Sequence, residues 1–353
     1  MDSFFLLQKS SSDIKNLNIY FIEVMKVLRK LFLLLFLFLV SIILLDEFFT
    51  THQYVNTFKS FMVPESRISE SILEDLNSDD YLKSENATYT IIRTTLMNLG
   101  YEQWLDYLSY IDLKVYKDNI MQDNNNELLV VLNLTKNSAV IAVYTSIDKE
   151  YKYVKALDGI LPVQNISFIE VPHDNLKLLQ VEQLIDERLG AFYIEEFIEI
   201  FLCAEDEFKS VWKKTKVLEE IYNQQWIDPQ SSNDQWIKII ENNTIDILNE
   251  NAVTINVIMN RKKLTAVKDT IPFEDEFSQV EELVTEENYY WSPKYQHFIL
   301  FEGIVRESTQ PVAVIKDTTI WKESFLGLES NNYIIKTSEG KISYIDKSFI
   351  IKP

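Results

Sequence analysis

Residues 127–156 read ELLVVLNLTKNSAVIAVYTSIDKEYKYVKA. Three runs of apolar, β-branched and aromatic residues stand here, Leu128–Asn133, Ala139–Thr145 and Tyr151–Ala156, parted by the polar turns TKNS and IDKE. Short runs of this kind with a period near two are what antiparallel strands joined by hairpins require, whereas a helix needs a longer stripe at a period of 3.6.

Downstream the texture persists. Expected strands are Ile166–Val171, Leu176–Val181, Phe197–Cys203, Phe208–Lys213, Trp236–Glu241, Val253–Met259, Lys263–Val267, Tyr289–Trp291, His297–Phe301, Val312–Lys316, Tyr333–Thr337 and Lys341–Ile345. Between Val181 and Leu189 the pattern VEQLIDERL reads instead as a short helix closed by Gly190. Upstream the period lengthens. Ile68, Ile72 and Leu76 form one helical stripe, and Ile92, Leu96 and Leu99 another that stops at Gly100. Trp104, Leu105, Leu108 and Ile111 form a third, and Pro64 stands before a helix expected to start near Glu65. The fold class is mainly β: an N-terminal transmembrane helix, a short helical segment, then an antiparallel β ectodomain of propeller-like or stacked units.

Sliding the chain by 57 residues lays Val140, Ile141, Val143, Tyr144, Glu150, Tyr151, Lys152 and Val154 on Phe197, Ile198, Ile200, Phe201, Glu207, Phe208, Lys209 and Val211. Each copy is a strand, an acidic turn and a second strand, the pattern of a repeated β-unit. The Asp/Asn-rich segment Asp123–Glu127, followed by LLVVLNL, AVIAVY and YKYVKAL, resembles a degenerate FG-GAP or VCBS-type unit. That resemblance covers residues 113–300 and implies a propeller-like, exported protein of a low-GC Gram-positive bacterium. The family's calcium loop needs a Gly for its sharp turn. Asp123, Asn125 and Glu127 alternate here without one, so the loop is read as a polar turn and not as a metal site.

The segment Leu31–Leu45, LFLLLFLFLVSIILL, is broken only by Ser41, with Lys26, Arg29 and Lys30 before it and Asp46 and Glu47 after it. An uncharged run of this kind with basic residues on one side predicts a membrane anchor with its N-terminus in the cytoplasm. The bulky residues after it, DEFFTTHQY, do not suit signal-peptide cleavage. The expected order is a cytoplasmic segment 1–30, an anchor 31–49, a juxtamembrane spacer 50–64, short helices 65–112, a β-rich repeat-like domain 113–310 and a C-terminal β module 311–353. The ending GKISYIDKSFI faintly resembles SH3-like wall-binding modules, although a terminal sheet completing the main domain fits its length better. Met25 opens MKVLRKLFLLLFLFLV, the basic head and apolar core with which exported proteins begin, and is a second possible start. The other reading takes NLNIYFIEVM as an amphipathic approach to the bilayer.

With 54 acidic against 34 basic residues, the net charge of -20 repels nucleic acid and anionic lipid. The lone Cys203 cannot form an intrachain disulfide and lies in the apolar run FIEIFLCA, where a thiol acts as a small core residue. Only His52, His173 and His297 exist, and 6 Gly leave little for a phosphate loop. Neither a nucleophile elbow, HExxH, P-loop nor GxGxxG is present. The pairs Asp186/Glu187 and Glu195/Glu196 are the only carboxylates weighed for a glycosidase, and ordinary solvated turns explain them better. Trp104, Trp212, Trp226, Trp236, Trp291 and Trp321 are weighed as a sugar-stacking surface against core plugs, with core plugs preferred. Sequons at Asn86, Asn133, Asn165 and Asn242 fit an Asn-rich composition. No catalytic, cofactor-binding or metal residue is nominated. The expected function is a membrane-anchored, extracytoplasmic, non-catalytic protein that binds or scaffolds an envelope protein or polymer. The alternative is an exported hydrolase of cell-envelope polysaccharide that uses Asp/Glu catalysis.

Overall fold

In the opening stretch the expected hairpins form, and both strand faces are buried. The structure is a computed structural model that describes residues 67–352 apart from 122–124, 173–175, 189–191, 205–206, 307 and 321–329. The chain divides into two units, Met1–Pro64 and Glu65–Pro353, of which only the second is described. The anchor 31–49, the segments flanking it and the choice of start lie outside the described residues. Among those described, no helix is long and apolar enough to cross a membrane.

Strands β1 (Ile68–Ser69), β2 (Asp112–Asp118), β3 (Glu127–Thr135), β4 (Ser138–Ile147) and β5 (Glu150–Ile160) form an antiparallel sheet of order β1-β5-β4-β3-β2. Alternation sends Leu128, Val130, Leu132, Val140, Ala142 and Tyr144 to one face. There they meet helix α1 (Glu70–Leu76), helix α2 (Tyr81–Leu99) and a 3₁₀ segment, Glu102–Tyr110. Leu129, Val131, Ala139, Ile141 and Val143 take the other face and pack on a second sheet. A strand buried on both sides must be apolar at every position, which is why LLVVL and AVIAVY run without polar alternation. Each such buried aliphatic side chain contributes about 1.5–3 kcal/mol.

The helices depart from the stripes: the first starts later than expected, and the second extends the Ile92–Leu99 stripe back to Tyr81. Ile68 belongs to β1, and α1 begins at Glu70 with Ser69 accepting from the Ile72 N–H. Helix α2 is capped by Asp80, which accepts from Leu82 N at 3.0 Å, and it ends on Gly100 in the left-handed conformation, φ 71°. The third stripe is the 3₁₀ segment, kinked at Tyr107.

The second sheet is a meander of β6 (Val163–Val171), β7 (Leu176–Asp186), β8 (Tyr193–Cys203), β9 (Phe208–Asn223), β10 (Gln235–Asn249), β11 (Val253–Val267), β12 (Ser278–Ser292) and β13 (His297–Ile299). Its β7 corrects the expected helix at 181–189. VEQLID continues the strand because Val181 packs into the inter-sheet core while Glu182 meets Lys216. Gly190 lies outside the described residues. Strand β11 likewise joins the two runs expected at 253–259 and 263–267.

One hairpin is repeated in register as well as in sequence. In β4/β5, Ile141 faces Leu157, Val143 faces Lys155 and Tyr144 faces Tyr153, with a bulge between Val143 and Tyr144. Fifty-seven residues on, Ile198 faces Lys214, Ile200 faces Trp212 and Phe201 faces Ser210, with a bulge between Ile200 and Phe201. The second bulge also recurs, at Ala139–Ile141 and at Glu196–Phe197. The preceding strands correspond as well: Lys117↔Leu128 of β2/β3 matches Phe168↔Leu179 of β6/β7. Their offset is 51, because the β7–β8 connection is longer than the β3–β4 turn. A four-stranded meander, β2–β5, is therefore followed by a second, β6–β9.

The second sheet curls over itself. Ile198, Ile200 and Leu202 of β8 share a core with Val253, Ile255 and Val257 of β11, Tyr289 and Trp291 of β12, and Phe298 of β13. Asn249 of β10 donates to the Glu170 carbonyl of β6 at 2.6 Å. Beyond β13 the chain enters a third sheet of order β17-β16-β15-β14-β18, from β14 (Phe301–Val305), β15 (Pro311–Asp317), β16 (Asn332–Thr337), β17 (Ile342–Asp346) and β18 (Ile350–Ile351).

Candidate functional site

At one end of the long strands two loops lie side by side, residues 224–234 between β9 and β10 (QQWIDPQSSND) and 268–277 between β11 and β12 (KDTIPFEDEF). The Lys268 N–H donates to the Asp234 carbonyl at 2.7 Å, and Trp236 Nε1 donates to the Lys268 carbonyl at 3.0 Å. Each loop holds a 3₁₀ turn, Gln224–Trp226 and Glu274–Glu276. Asn223 fixes the first by accepting from Gln225 N at 3.0 Å. Glu276 fixes the second by accepting from Phe273 N at 2.6 Å.

These turns push large apolar side chains into solvent. Trp226 is 61% exposed, Phe273 71% and Val267 77%, with Ile227 and Ile271 beside them. Trp226 stands edge-on to Trp236 with ring centroids 5.7 Å apart, and Lys268 Nζ lies 4.7 Å from the Phe273 ring centroid. Around them the loops carry Asp228, Asp234, Asp269, Glu274, Asp275 and Glu276 against Lys268. An apolar centre with a charged rim is the composition of a binding surface. The loops are also held from beneath: Lys238, 1% exposed, pairs with Glu219 at 3.0 Å and with Glu274 at 2.5 Å.

Charge is buried deeper in the curled sheet. Glu241 and Arg261, opposite one another on β10 and β11, make two hydrogen bonds of 2.9 and 2.5 Å. Lys214 pairs with Glu287. Tyr193 donates to Glu195 at 2.5 Å, and Thr215 donates to the same carboxylate at 2.6 Å. Burial first, and then Glu195, raises the Tyr193 phenol above its usual range; burial and then Glu287 do the same to Tyr289. Neutralised in pairs, these groups read as structural.

The sequence candidates are placed apart. Asp186 is clamped by Arg188, whose hydrogen bonds hold its carboxyl down at about 2, and Glu187 pairs with Lys136 at 2.5 Å. Glu195 and Glu196 are adjacent on β8, where consecutive side chains take opposite faces, and Glu196 pairs with Lys216 at 2.6 Å. Neither pair flanks a common space. Trp212, Trp236 and Trp291 are buried, and the indole N–H groups of Trp212 and Trp291 find no acceptor among the described residues. Of the five described tryptophans, Trp226 alone is strongly exposed; Trp321 is outside the described residues. The Cys203 thiol is buried, and burial pushes its pKa up. Within the acidic loop, Glu127 turns inward and accepts from the N–H groups of Ile120 and Met121 at 2.8 and 3.0 Å. Asp123 is outside the described residues, and among those described no cluster of three or more His, Cys, Asp or Glu could hold a metal.

The loop surface was not nominated from sequence. Its signal is a large apolar residue close to a Pro inside an acidic loop, WIDP in one and IPFEDE in the other. Compared with protein-family models, curated proteins and solved structures, the chain matches none.

Proposed function

We propose that this chain is a membrane-anchored, extracytoplasmic protein that binds or scaffolds a partner without catalysis. Leu31–Leu45 supplies the anchor and residues 46–353 the exported part, whose repeated four-stranded meanders act as stacked, propeller-like units. The observation that carries the reading is the double-loop surface of Trp226, Ile227, Val267, Ile271 and Phe273 inside its acidic rim. The carboxylates weighed for chemistry, Asp186, Glu187, Glu195 and Glu196, are tied up in ion pairs or local hydrogen bonds.

The test uses the full chain in its own membrane. Protease added to intact protoplasts is expected to cut the ectodomain, while undigested protein stays in the membrane pellet. A crosslinker placed at position 226 should then join the chain to one defined envelope component, and Phe273→Ser should abolish the product. A soluble mature form overturns the anchor. Release of soluble sugar from purified envelope polymer, lost in Glu195→Gln, establishes the hydrolase instead.

A further inference from the structure

We infer that the free edge of β2 is a strand-addition site for an extended, cationic peptide segment of a partner protein. This site is separate from the double-loop surface. Strand β2 closes its side of the first sheet, and among the described residues no backbone hydrogen bond links it to anything but β3. In an antiparallel ladder alternate residues point their N–H and C=O groups away from the neighbour, so β2 offers a row of unused donors and acceptors.

Beside that edge runs an open groove of about 920 Å³ between β2 and helix α1. Leu73 and Leu76 of the helix and Leu113 and Val115 of the strand make its apolar side. An added strand would send alternate side chains into it, which is how strand-adding domains combine backbone affinity with side-chain choice. Of the two lysines on the strand only Lys117 lines the groove, one cation against Glu70, Glu74 and Asp112. Lys114 Nζ is bonded to the carbonyls of Val163 and Gln164 at 2.7 and 2.8 Å, and Lys117 lies over the Tyr151 ring at 5.0 Å.

Charge selects the occupant. Glu70 and Glu74 line the groove and make no ion pair among the described residues. Asp112, at the end of the strand, is exposed and has Lys114 3.8 Å away. With the chain at -20 overall, an anionic or strongly acidic segment is repelled and one alternating Lys or Arg with aliphatic residues is matched. The 7 residues of β2 set the length of the recognised segment.

The probe is a blocked peptide alternating Lys and Val, titrated by fluorescence anisotropy into the full-length protein in neutral detergent. Saturable binding is expected, and Glu70→Lys and Glu74→Lys should each weaken it about two- to fivefold. N-methylation of alternate peptide residues on the edge-facing side should weaken it about tenfold or more. Trp226→Ser should leave it unchanged, which separates this site from the loop surface. Equal binding of the Glu/Val peptide, or indifference to N-methylation, overturns the proposal. So does self-association of the protein that Glu74→Lys abolishes, since a second copy would then be the occupant.

Discussion

Hairpins β4/β5 and β8/β9 share a backbone and differ in their surroundings. Register and both bulges coincide at an offset of 57, yet Ala142 is replaced by Glu199, Leu157 by Lys214 and Tyr144 by Phe201. The first hairpin lies between helices on one face and a sheet on the other, and nearly every position of β4 is apolar. The second faces the first sheet through Phe201 and Cys203 and its own curled interior through Ile198, Ile200 and Leu202. That interior admits charge wherever a partner strand brings the opposite one. A ladder with its bulges is thus a frame that tolerates Leu or Lys at the same place, provided the neighbour answers.

The sharpest test is to exchange those residues. Lys214→Leu alone copies Leu157 but strands the buried Glu287, and it should cost about 3–5 kcal/mol in chemical denaturation. Adding Glu287→Leu should recover most of the loss. If the single change is neutral, the pair contributes nothing and the contrast between hairpins is only one of composition.

Acid should separate the regions next. His297, on β13 of the second sheet, is buried on the face opposite Phe298, and burial lowers its pKa to about 4. The unfolded chain binds that proton near pH 6.5, so this contribution is complete above pH 6.5 and is lost as pH falls toward 4. It amounts to about 3 kcal/mol. Hydrogen exchange at pH 5 should open β12 and β13 before β3 and β4, and His297→Gln should flatten the difference.

Tyr144→Phe makes the first hairpin resemble the second. It removes the hydroxyl that donates to Thr95 at 2.9 Å and accepts from Asn98 at 3.3 Å, and Thr95 is buried. A loss of about 1–2 kcal/mol is expected. The smallest effect lies in the β4–β5 turn, where Asp148 and Lys149 take φ of 48° and 67°. Lys149→Gly should stabilise by about 0.5–1 kcal/mol because both central residues of such a turn sit in the left-handed region. A drop in melting temperature would show that the Lys149 side chain does something the backbone geometry does not.

Strands with an apolar face were legible because alternation survives wherever a core is near. The strand expected at Leu176–Val181 forms, but β7 runs on to Asp186 where a helix is expected, because Glu182 and Gln183 break the apolar alternation while Gln183, buried, bonds to the Leu161 N–H at 2.9 Å. The first part of β12, SQVEELVTEE, escaped because its residues are mostly exposed on both faces, leaving no apolar period to read. The repeat was visible only as a hairpin, since the longer β7–β8 connection breaks a single sliding offset. Exposure of Trp226 and Phe273 depends on two distant loops meeting through Lys268, and no local pattern encodes that meeting.

Asn133 joins the two sheets. Its Oδ1 accepts from Val163 N at 2.8 Å, and its Nδ2 donates to the Val163 carbonyl at 3.0 Å. The same amide is the acceptor atom of the sequon Asn133-Leu134-Thr135. Nδ2 also donates to Asp112, and a sugar attached there would replace one of the two hydrogens it donates, so modification competes with closure of the sheets at this residue. Production in a secretory pathway that glycosylates nascent chains therefore becomes a race between a transferase and folding, and a bacterial host or an Asn133 sequon broken at Thr135 removes the competitor.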